Sequence, residues 1–222
     1  MILCIADLLT AEELSVILDK LKEAEFGDGK TTAGEYVRDV KNNQQLKAAP
    51  VASELKSIVL KALKRNELFQ MAARPKMICP ILFSRYEVGM YYGSHFDNAL
   101  MGKETLYRTD ISLTLFLSAP ETYEGGELVI ETHHGEQAFK LSAGAAIVYP
   151  SSTLHRVETV TQGTRYGAVT WVQSLIRDPF EREILFDLDT ARKAIFQKYG
   201  KTGEFDLIAK TQANLLRKWA ST

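Results

Sequence analysis

The chain has 222 residues, of which 45% are hydrophobic and 25% charged. This composition is ordinary for a globular protein, and the length is enough for one sizeable core. A formal net charge of −1 at pH 7 shows no basic bias toward nucleic acid or an anionic membrane surface. The two cysteines, Cys4 and Cys79, lie far apart in sequence, which argues against a disulfide framework and a cysteine metal site.

The N-terminal residues MILCIADLLTAEEL contain neither the basic region nor the cleavage pattern of a signal peptide. No apolar run reaches the ~18 residues that would suggest a membrane span. These features predict a cytoplasmic protein in a reducing compartment, with no membrane and no nucleic acid among its partners.

Helical patterns occupy much of the first 75 residues. Thr10 is an N-cap candidate, and Glu13 completes a capping box ahead of apolar residues at helical spacing. Residues 27–34 are interpreted as a polar loop or hairpin. A second helix is predicted from about residue 51 to residue 65, with apolar residues recurring on one face.

From Met77 onward, short segments rich in β-branched, aromatic and aliphatic residues alternate with turn residues. The predicted strands cover residues 77–86, 91–96, 111–117, 127–131, 137–141, 145–149, 153–160 and 165–175. So many short strands in one stretch predict a β-sandwich or jelly roll, in a fold that is mainly β with flanking α-helices.

After Pro179 the helical pattern returns, over residues 180–198 and 204–219. Without a repeat or an evident linker, the chain is predicted to form a single domain, 1–222. It would have an N-terminal helical part at about 1–75, a β core at about 77–176 and C-terminal helices at about 178–222. The terminal helices are expected to pack outside one sheet, although the C-terminal pair has apolar faces that also suit a second subunit.

A candidate metal site lies in the predicted β region. His95 and Asp97 are two residues apart in the second predicted strand, so their side chains share a face. His155 lies in a late strand. Two histidines and one carboxylate form the facial triad of non-haem Fe(II) oxygenases, which leaves positions open for a co-substrate and O₂. Each residue alone is a weak signal, because a lone strand histidine is more often a hydrogen-bonded structural residue.

Arg165 follows His155 by ten residues. Its guanidinium could hold the distal carboxylate of a dicarboxylic co-substrate in a bidentate manner. An inward-facing arginine would itself imply an acidic ligand, because burying it without an anion is costly. The simpler alternative is a surface arginine.

A second His-x-acid pair, His134 and Glu136, competes for the role of the metal motif. It lies in a polar stretch typical of a turn, and it precedes His155 too closely for a jelly roll. His133 and His134 are therefore interpreted as solvated turn residues.

Taken together, these motifs are similar to a known family. The segment RYEVGMYYGSHFD at 85–97 resembles the ligand strand of the prolyl 4-hydroxylase superfamily. The segments RTDISLTLFLS (108–118), YEGGEL (123–128), AGAAIVYPSSTLHRV (143–157) and GTRY (163–166) follow in family order. VKNNQQ (40–45) and WVQSLIRD (171–178) resemble the bacterial PKHD-type hydroxylases in particular, so the resemblance covers nearly the whole chain.

The resemblance implies a double-stranded β-helix (jelly-roll) core and an Fe(II)- and 2-oxoglutarate-dependent dioxygenase. That enzyme would hydroxylate a substrate and release succinate and CO₂. It would bind Fe(II) through His95, Asp97 and His155 and 2-oxoglutarate through Arg165, with L-ascorbate (vitamin C) as an auxiliary reductant. Related hydroxylases use a tyrosine as a second 2-oxoglutarate contact. Here Tyr86 is preferred over two alternatives, Tyr92 and Thr114.

The substrate-facing residues are harder to assign. Arg108 and Asp110 could contact substrate near the pocket mouth, or could form a structural ion pair. The polar run 41–45 is interpreted as a surface loop rather than the lining of a substrate entrance. Gly125 and Gly126 predict a tight turn with unusual backbone angles. The substrate itself is left open among a peptide, an amino acid and an iron-chelating small molecule.

Three other functions fit parts of the pattern. A non-catalytic iron or 2-oxoglutarate sensor would keep the ligands but show no turnover. A nucleic-acid demethylase would need a basic groove, which the balanced charge does not favour. A metal-free jelly roll that binds sugar or protein would hold no stoichiometric iron.

Overall fold

The computed structural model describes residues 1–102 and 105–221. Its α-helices are α1 (Ala11–Glu23), α2 (Pro50–Arg65), α3 (Glu67–Ala73), α4 (Pro179–Tyr199) and α5 (Gly203–Trp219). Its strands before residue 100 are β1 (Leu3–Ile5), β2 (Phe26–Asp28), β3 (Lys41–Asn42), β4 (Gln44–Leu46), β5 (Pro75–Ile78), β6 (Leu82–Tyr86) and β7 (Tyr91–His95). The later strands are β8 (Leu100–Met101), β9 (Tyr107–Arg108), β10 (Ile111–Phe116), β11 (Tyr123–Gly125), β12 (Leu128–Thr132), β13 (Gly135–Phe139), β14 (Ala146–Pro150), β15 (His155–Val157), β16 (Val160–Gly163) and β17 (Arg165–Ser174).

Two antiparallel sheets form the jelly-roll core. The larger sheet has the order β1-β14-β10-β17-β6-β4-β2, and β5 also pairs with β17. The smaller sheet has the order β13-β12-β15-β7-β3. The short pairs β11-β16 and β8-β9 lie apart from both sheets. The segment from β3 to β4 pairs with β7 at one end and with β6 at the other, so it passes from one sheet to the other.

The hydrophobic core has two parts. One lies between the larger sheet and the first three helices, and contains Ile17 of α1, Leu55 of α2 and Phe69 of α3 packed around strand residues such as Leu113 and Leu115. The other lies between the sheets and includes Phe116, Ile130 and Tyr149. Strand β10 contributes to both, because its side chains alternate between the helical face and the inter-sheet face.

The N-terminal helix begins as predicted. The Glu13 N–H donates to Thr10 Oγ1 at 3.2 Å, and the Thr10 N–H donates to Glu13 Oε2 at 3.0 Å. This reciprocal capping box satisfies two N–H groups at the helix start. Ile17 and Leu21 form its buried face.

The N-terminal region is less purely helical than predicted. Strands β1, β2 and β4 join the larger sheet, and β3 joins the smaller one. These strands have only two or three residues each, too few for a period-two pattern to stand out. Helix α3 was not predicted, although Asn66 caps it by accepting a hydrogen bond from the Phe69 N–H at 2.9 Å. The predicted strands 77–86 and 153–160 are each divided into two.

Helices α4 and α5 pack against one another, and α4 also packs on α3. Asp189 of α4 accepts hydrogen bonds from Arg74 at 2.5 Å and from Arg192 at 2.9 Å. The C-terminal helices therefore reach the core mainly through α3 rather than by lying directly on a sheet. No helix in the described part of the chain is both long and apolar enough to cross a membrane.

Candidate active site

Three predicted metal ligands meet between the sheets. His95 ends β7 and His155 begins β15, and the two are direct cross-strand partners in the smaller sheet. Asp97 lies two residues beyond the end of β7. It is therefore outside the strand to which the sequence analysis assigned it. Alternation nevertheless continues, because the intervening Phe96 is exposed. One ligand atom from each of His95, Asp97 and His155 lies within 4.8 Å of the others.

The backbone fixes which nitrogen each histidine offers. His95 Nδ1 lies 2.8 Å from the Gly93 carbonyl oxygen, and His155 Nδ1 lies 2.9 Å from the Thr153 carbonyl oxygen. A carbonyl oxygen only accepts, so each neutral ring donates its Nδ1–H. Each Nε2 then keeps its lone pair for a metal ion.

Asp97 is oriented from the larger sheet. The Ser112 hydroxyl on β10 donates to Asp97 Oδ2 at 2.5 Å and lies 2.8 Å from Ser151 Oγ. The Asp97 N–H also donates to the Ser151 carbonyl oxygen at 3.3 Å. These contacts fix the orientation in which Asp97 presents its carboxylate to a metal ion.

Aromatic rings surround the two histidines. Tyr92 stacks on His95 with ring centroids 3.7 Å apart, and Tyr149 meets His155 edge-on at 5.0 Å. Burial, followed by the neighbouring His155, lowers the pKa of His95 to about 4. The apolar rings thus help to keep the His95 imidazole neutral, as a metal ligand requires.

Arg165 begins β17 and faces inward, with only 2% of its surface exposed. Its Nε and Nη2 have no hydrogen-bond partner among the described residues. The guanidinium carbon lies 5.1 Å from the ring centroid of Tyr86 and 5.5 Å from that of Phe116. Leaving a buried guanidinium unpaired is costly, so this arrangement favours an anion bound here.

Gly125 and Gly126 form a tight turn beside the Arg165 side chain. Gly125 and Gly126 both have positive φ, at 68° and 67°, which agrees with the predicted tight turn. A Cβ on Gly126 would lie 2.9 Å from Arg165 Cδ. Glycine is therefore required here by backbone angle and by the closeness of the arginine.

The preferred second co-substrate contact, Tyr86, lies beside Arg165. The two residues are cross-strand partners in β6 and β17, and Tyr86 is buried in the cavity lining. Thr114 also lines the cavity, whereas Tyr92 packs on His95. Sequence reasoning did not single out Tyr123, whose buried hydroxyl lies beside the Arg165 guanidinium. Its ring lies near Arg165, because a Cβ on Gly126 would approach both side chains.

Arg108 and Asp110 are not brought to the site. Arg108 Nε and Nη2 donate to the Asp110 carboxylate at 2.6 and 2.9 Å. Asp110 also accepts from the Ser174 N–H at 2.8 Å. Neither residue is among those that line the cavity. The geometry is that of a structural ion pair joining the start of β10 to the end of β17.

The competing pair also lies elsewhere. His133 and His134 are exposed in the turn between β12 and β13. Both oxygens of Glu136 accept hydrogen bonds from Arg156 at 2.7 Å. This carboxylate is thus occupied on the protein surface, and the described part of the chain brings no third ligand to the two histidines.

A cavity of about 660 Å³ opens above the triad. Lys41, Asn43 and Gln45 line one side of it and are all buried, whereas Asn42 and Gln44 between them are not. The interpretation of 41–45 as a surface loop is therefore wrong, and the alternative of a lining segment is correct. Pairing with β7 and β6 imposes the strand alternation that turns every second residue inward.

The two facing antiparallel sheets and the His-Asp-His cluster define the class of 2-oxoglutarate- and Fe(II)-dependent oxygenases. Residues 81–173 match the family model described as the 2OG-Fe(II) oxygenase superfamily. The fold also matches that of a crystallised prolyl-4-hydroxylase from Pseudomonas putida. The TM-score is 0.52 at 16% identity, over 78% of this chain and 92% of that one.

Full-length relatives define the family more narrowly. A PKHD-type hydroxylase from Synechococcus sp. (strain JA-2-3B'a(2-13)) is 63% identical over 99% of both chains. Another from Crocosphaera subtropica is 57% identical over 99% of this chain and all of its own length. The chain belongs to the PKHD-type hydroxylases, and it is a 2-oxoglutarate-dependent dioxygenase.

Proposed function

We propose that His95, Asp97 and His155 bind Fe(II) and that Arg165 binds the distal carboxylate of 2-oxoglutarate, in an enzyme that hydroxylates a small molecule or peptide. The observation that carries this proposal is the convergence of the three ligand atoms within 4.8 Å. The bound metal and co-substrate supply the oxidising chemistry, with release of succinate and CO₂.

The residues present fit that cofactor pair. Both histidines offer Nε2 because their Nδ1–H groups are held by backbone carbonyls. Asp97 supplies the single carboxylate, and the open side of the cluster faces the cavity. Two nitrogens and one carboxylate with free positions are the donor set of non-haem Fe(II) oxygenases rather than of a structural zinc site.

Arg165 suits the far end of a dicarboxylate. Its planar fork can donate two parallel hydrogen bonds, and two of its nitrogens have no partner among the described residues. Tyr86, its cross-strand partner, is our proposed second contact to the same carboxylate. The rings of Tyr86 and Phe116 exclude water and so strengthen the ion pair that would form.

We extend the proposal to the cellular setting and the substrate range. The sparse cysteines favour action in a reducing compartment such as the cytoplasm. L-ascorbate is proposed as the auxiliary reductant on the strength of family resemblance. A cavity of about 660 Å³ can accept a peptide side chain, an amino acid or a small iron-chelating molecule.

Anaerobic titration with Fe(II) and then 2-oxoglutarate tests the cofactor site. Wild type should develop a visible metal-to-ligand charge-transfer band. Arg165→Ala should require far more 2-oxoglutarate to develop it. Arg217→Ala is the matched control, because Arg217 is exposed on α5 and contacts Asn214. A wild-type protein that binds no iron at neutral pH would overturn the proposal.

Succinate release in air then distinguishes an enzyme from a sensor. With Fe(II), 2-oxoglutarate and ascorbate in air, wild type should release succinate slowly even without substrate. A protein that shows the charge-transfer band but releases no succinate under any condition would be a sensor. Omitting ascorbate should shorten the period over which turnover continues.

A further inference from the structure

Lys41 is a second buried cation in the active-site cavity. Lys41 begins the two-residue strand β3, and only 5% of its surface is exposed. Its ammonium donates to Thr32 Oγ1 at 2.9 Å and lies 5.0 Å from the ring centroid of Tyr92. Tyr92 in turn stacks on His95. One aromatic ring therefore separates Lys41 from the metal cluster.

The ammonium has spare hydrogen-bonding capacity. It carries three N–H donors, and Thr32 accepts one of them. Lys41 forms no ion pair with any described carboxylate; Asp97 and Asp28 act on it only from beyond contact distance. Burying an ammonium in this state is costly, so a purely structural role would favour an uncharged side chain at the same position.

The charged residues that line the cavity do not balance one another. Of the described residues that line the cavity, those with full charges are Lys41, Asp97 and Arg165. In the loaded enzyme of the proposed function, Fe(II) balances the dianionic 2-oxoglutarate, and the single carboxylate of Asp97 faces two cations, Arg165 and Lys41. The cavity then keeps one net positive charge, which an anionic substrate would balance.

Next to Lys41, the cavity lining is polar. The Asn43 side chain is buried, and its Oδ1 atom packs against Gly29, where a Cβ would lie 1.9 Å from it. Asn43 is two residues from Lys41 on the same segment, so both face the cavity. Gln45 faces it as well, and its Oε1 accepts from the Thr32 hydroxyl at 2.5 Å. Polar side chains therefore surround the Lys41 ammonium, as the charged end of a ligand requires.

Two large apolar side chains are exposed in the outer part of the cavity. Phe96 and Leu100 belong to its lining, yet 62% and 58% of their surfaces are exposed. Large exposed apolar side chains at a cavity entrance favour contact with the apolar part of a ligand. An acidic group held by Lys41 and an apolar body toward Phe96 together span the cavity past the metal cluster.

We propose that Lys41 binds an acidic group of the substrate, so that the enzyme hydroxylates a small organic anion with an apolar body. The inference rests on the proposed function, and it narrows the substrate class within the same site. It separates the two cations by role, with Arg165 binding the co-substrate and Lys41 the substrate. Tyr92 would keep the substrate anion apart from His95, because its ring lies between them.

The first stage of the test shows that the metal site is intact. Wild type, Lys41→Met and Lys41→Gln are titrated anaerobically with Fe(II) and 2-oxoglutarate. All three should develop the same charge-transfer band at the same 2-oxoglutarate concentration. The control is Lys47→Met, because Lys47 lies on the same segment but is largely exposed and pairs with Glu25. A missing band in wild type would be a failure of the proposed function, not of this inference.

The second stage compares acids with their amides. Each loaded protein is dialysed to equilibrium at pH 7 against N-acetyl-L-phenylalanine or its primary amide, and against hexanoate or hexanamide. Within each pair the apolar body is the same and only the charge differs. A charge-assisted hydrogen bond stabilises binding enough for wild type to prefer the acid by roughly ten-fold or more.

The acid-to-amide ratio is the decisive quantity. Both Lys41 variants should lose the preference for the acid while binding the amide as wild type does, and Lys47→Met should retain the preference. A general loss of structure would weaken the binding of acid and amide alike, and would leave their ratio unchanged. Equal binding of acid and amide by loaded wild type, no binding of either pair, or a preference that survives in both Lys41 variants would overturn the inference.

Discussion

Arg165 and Lys41 are two buried cations in one cavity, and they differ in ways that matter for function. Arg165 lies on the larger sheet against the rings of Tyr86 and Phe116. Lys41 lies on the smaller sheet, where Thr32 accepts one of its hydrogen bonds. A guanidinium keeps its charge at any ordinary pH, whereas a buried ammonium can lose its proton. Burial lowers the pKa of Lys41 to about 8.

Under our proposal, the two cations recognise their anions by different chemistry. A planar fork recognises a carboxylate by geometry, while an ammonium acts as a point charge with rotatable donors. We therefore expect the co-substrate site to be strict and the substrate site to be tolerant. Anion binding at Lys41 should weaken above about pH 8, whereas anion binding at Arg165 should persist.

The largest effect should come from the carboxylate of the metal cluster, Asp97. Asp97→Ala should lower iron affinity and succinate release by more than about 100-fold, because loss of an outer partner alone typically costs 10–100-fold. Iron retained after dialysis and succinate release measure the two effects. Asp187→Ala, at an exposed position on α4, should behave as wild type. Retention of full activity in Asp97→Ala would refute the metal-ligand assignment.

Arg165→Met and Lys41→Met should separate the two cations most directly. Loss of two charge-assisted hydrogen bonds should raise the dissociation constant of 2-oxoglutarate by about 100-fold in Arg165→Met. The same constant should stay within about two-fold of wild type in Lys41→Met, because Lys41 contacts Tyr92 and Thr32 rather than the residues around Arg165. The charge-transfer band measures both. Equal losses in the two variants would mean that both cations bind the co-substrate.

Ser112→Ala should have a smaller effect on the metal site itself. Its hydroxyl reaches from the larger sheet to Asp97 at 2.5 Å, and an outer-sphere hydrogen bond of this kind typically contributes about ten-fold to metal affinity. Competition with a chromogenic chelator gives the iron dissociation constant. Ser15→Ala, on the exposed face of α1, is the control. An unchanged constant in Ser112→Ala would show that the Ser151 contacts suffice to orient Asp97.

The smallest effect concerns stability without metal or ligand. Lys41 has a folded-state pKa of about 8 against an ordinary value of 10.5. The cost of burying its charge is fully present below pH 8, where both states are protonated. Between these two values the unfolded chain binds the proton and the folded chain does not, so wild type should gain stability as pH rises. Denaturant unfolding at pH 7.5 and pH 10 measures this gain.

Lys41→Met provides the matched measurement. It should be more stable than wild type at pH 7.5 by about 1 kcal/mol, because an apolar side chain often replaces a buried charge favourably. The difference should shrink toward pH 10. A variant less stable than wild type at pH 7.5 would mean that Lys41 is structural, and the comparison with Arg165 would then no longer hold.

Most of the site was predictable because its signals are local. His95 and Asp97 share a face by strand alternation, and Thr10 with Glu13 specifies a helix start within four residues. His155 and Arg165 could be assigned because their order along the chain matched a known family. In each case the relevant information lies within a few residues or in a motif of fixed order.

The rest depends on contacts between distant segments. The Ser112 hydroxyl contacts Asp97 only when β10 faces the smaller sheet. Tyr123 lies near Arg165 only because the turn at Gly125 and Gly126 brings the two side chains together. Lys41 was misassigned because β3 and β4 are too short and polar to resemble strands. One signal was present, since positions 41, 43 and 45 alternate with 42 and 44. It becomes meaningful only once β3 pairs with β7 and β4 with β6.

The hydrogen bonds that orient His95 and His155 have a consequence for how the enzyme can change. Both acceptors are main-chain carbonyls, two residues before the histidine in each case. A side-chain substitution cannot delete a main-chain carbonyl, so the tautomers are insulated from most point mutations. The cavity lining can therefore diversify, by natural drift or laboratory evolution, while the imidazoles continue to offer the same nitrogens. This separation makes the scaffold a suitable starting point for altering substrate choice.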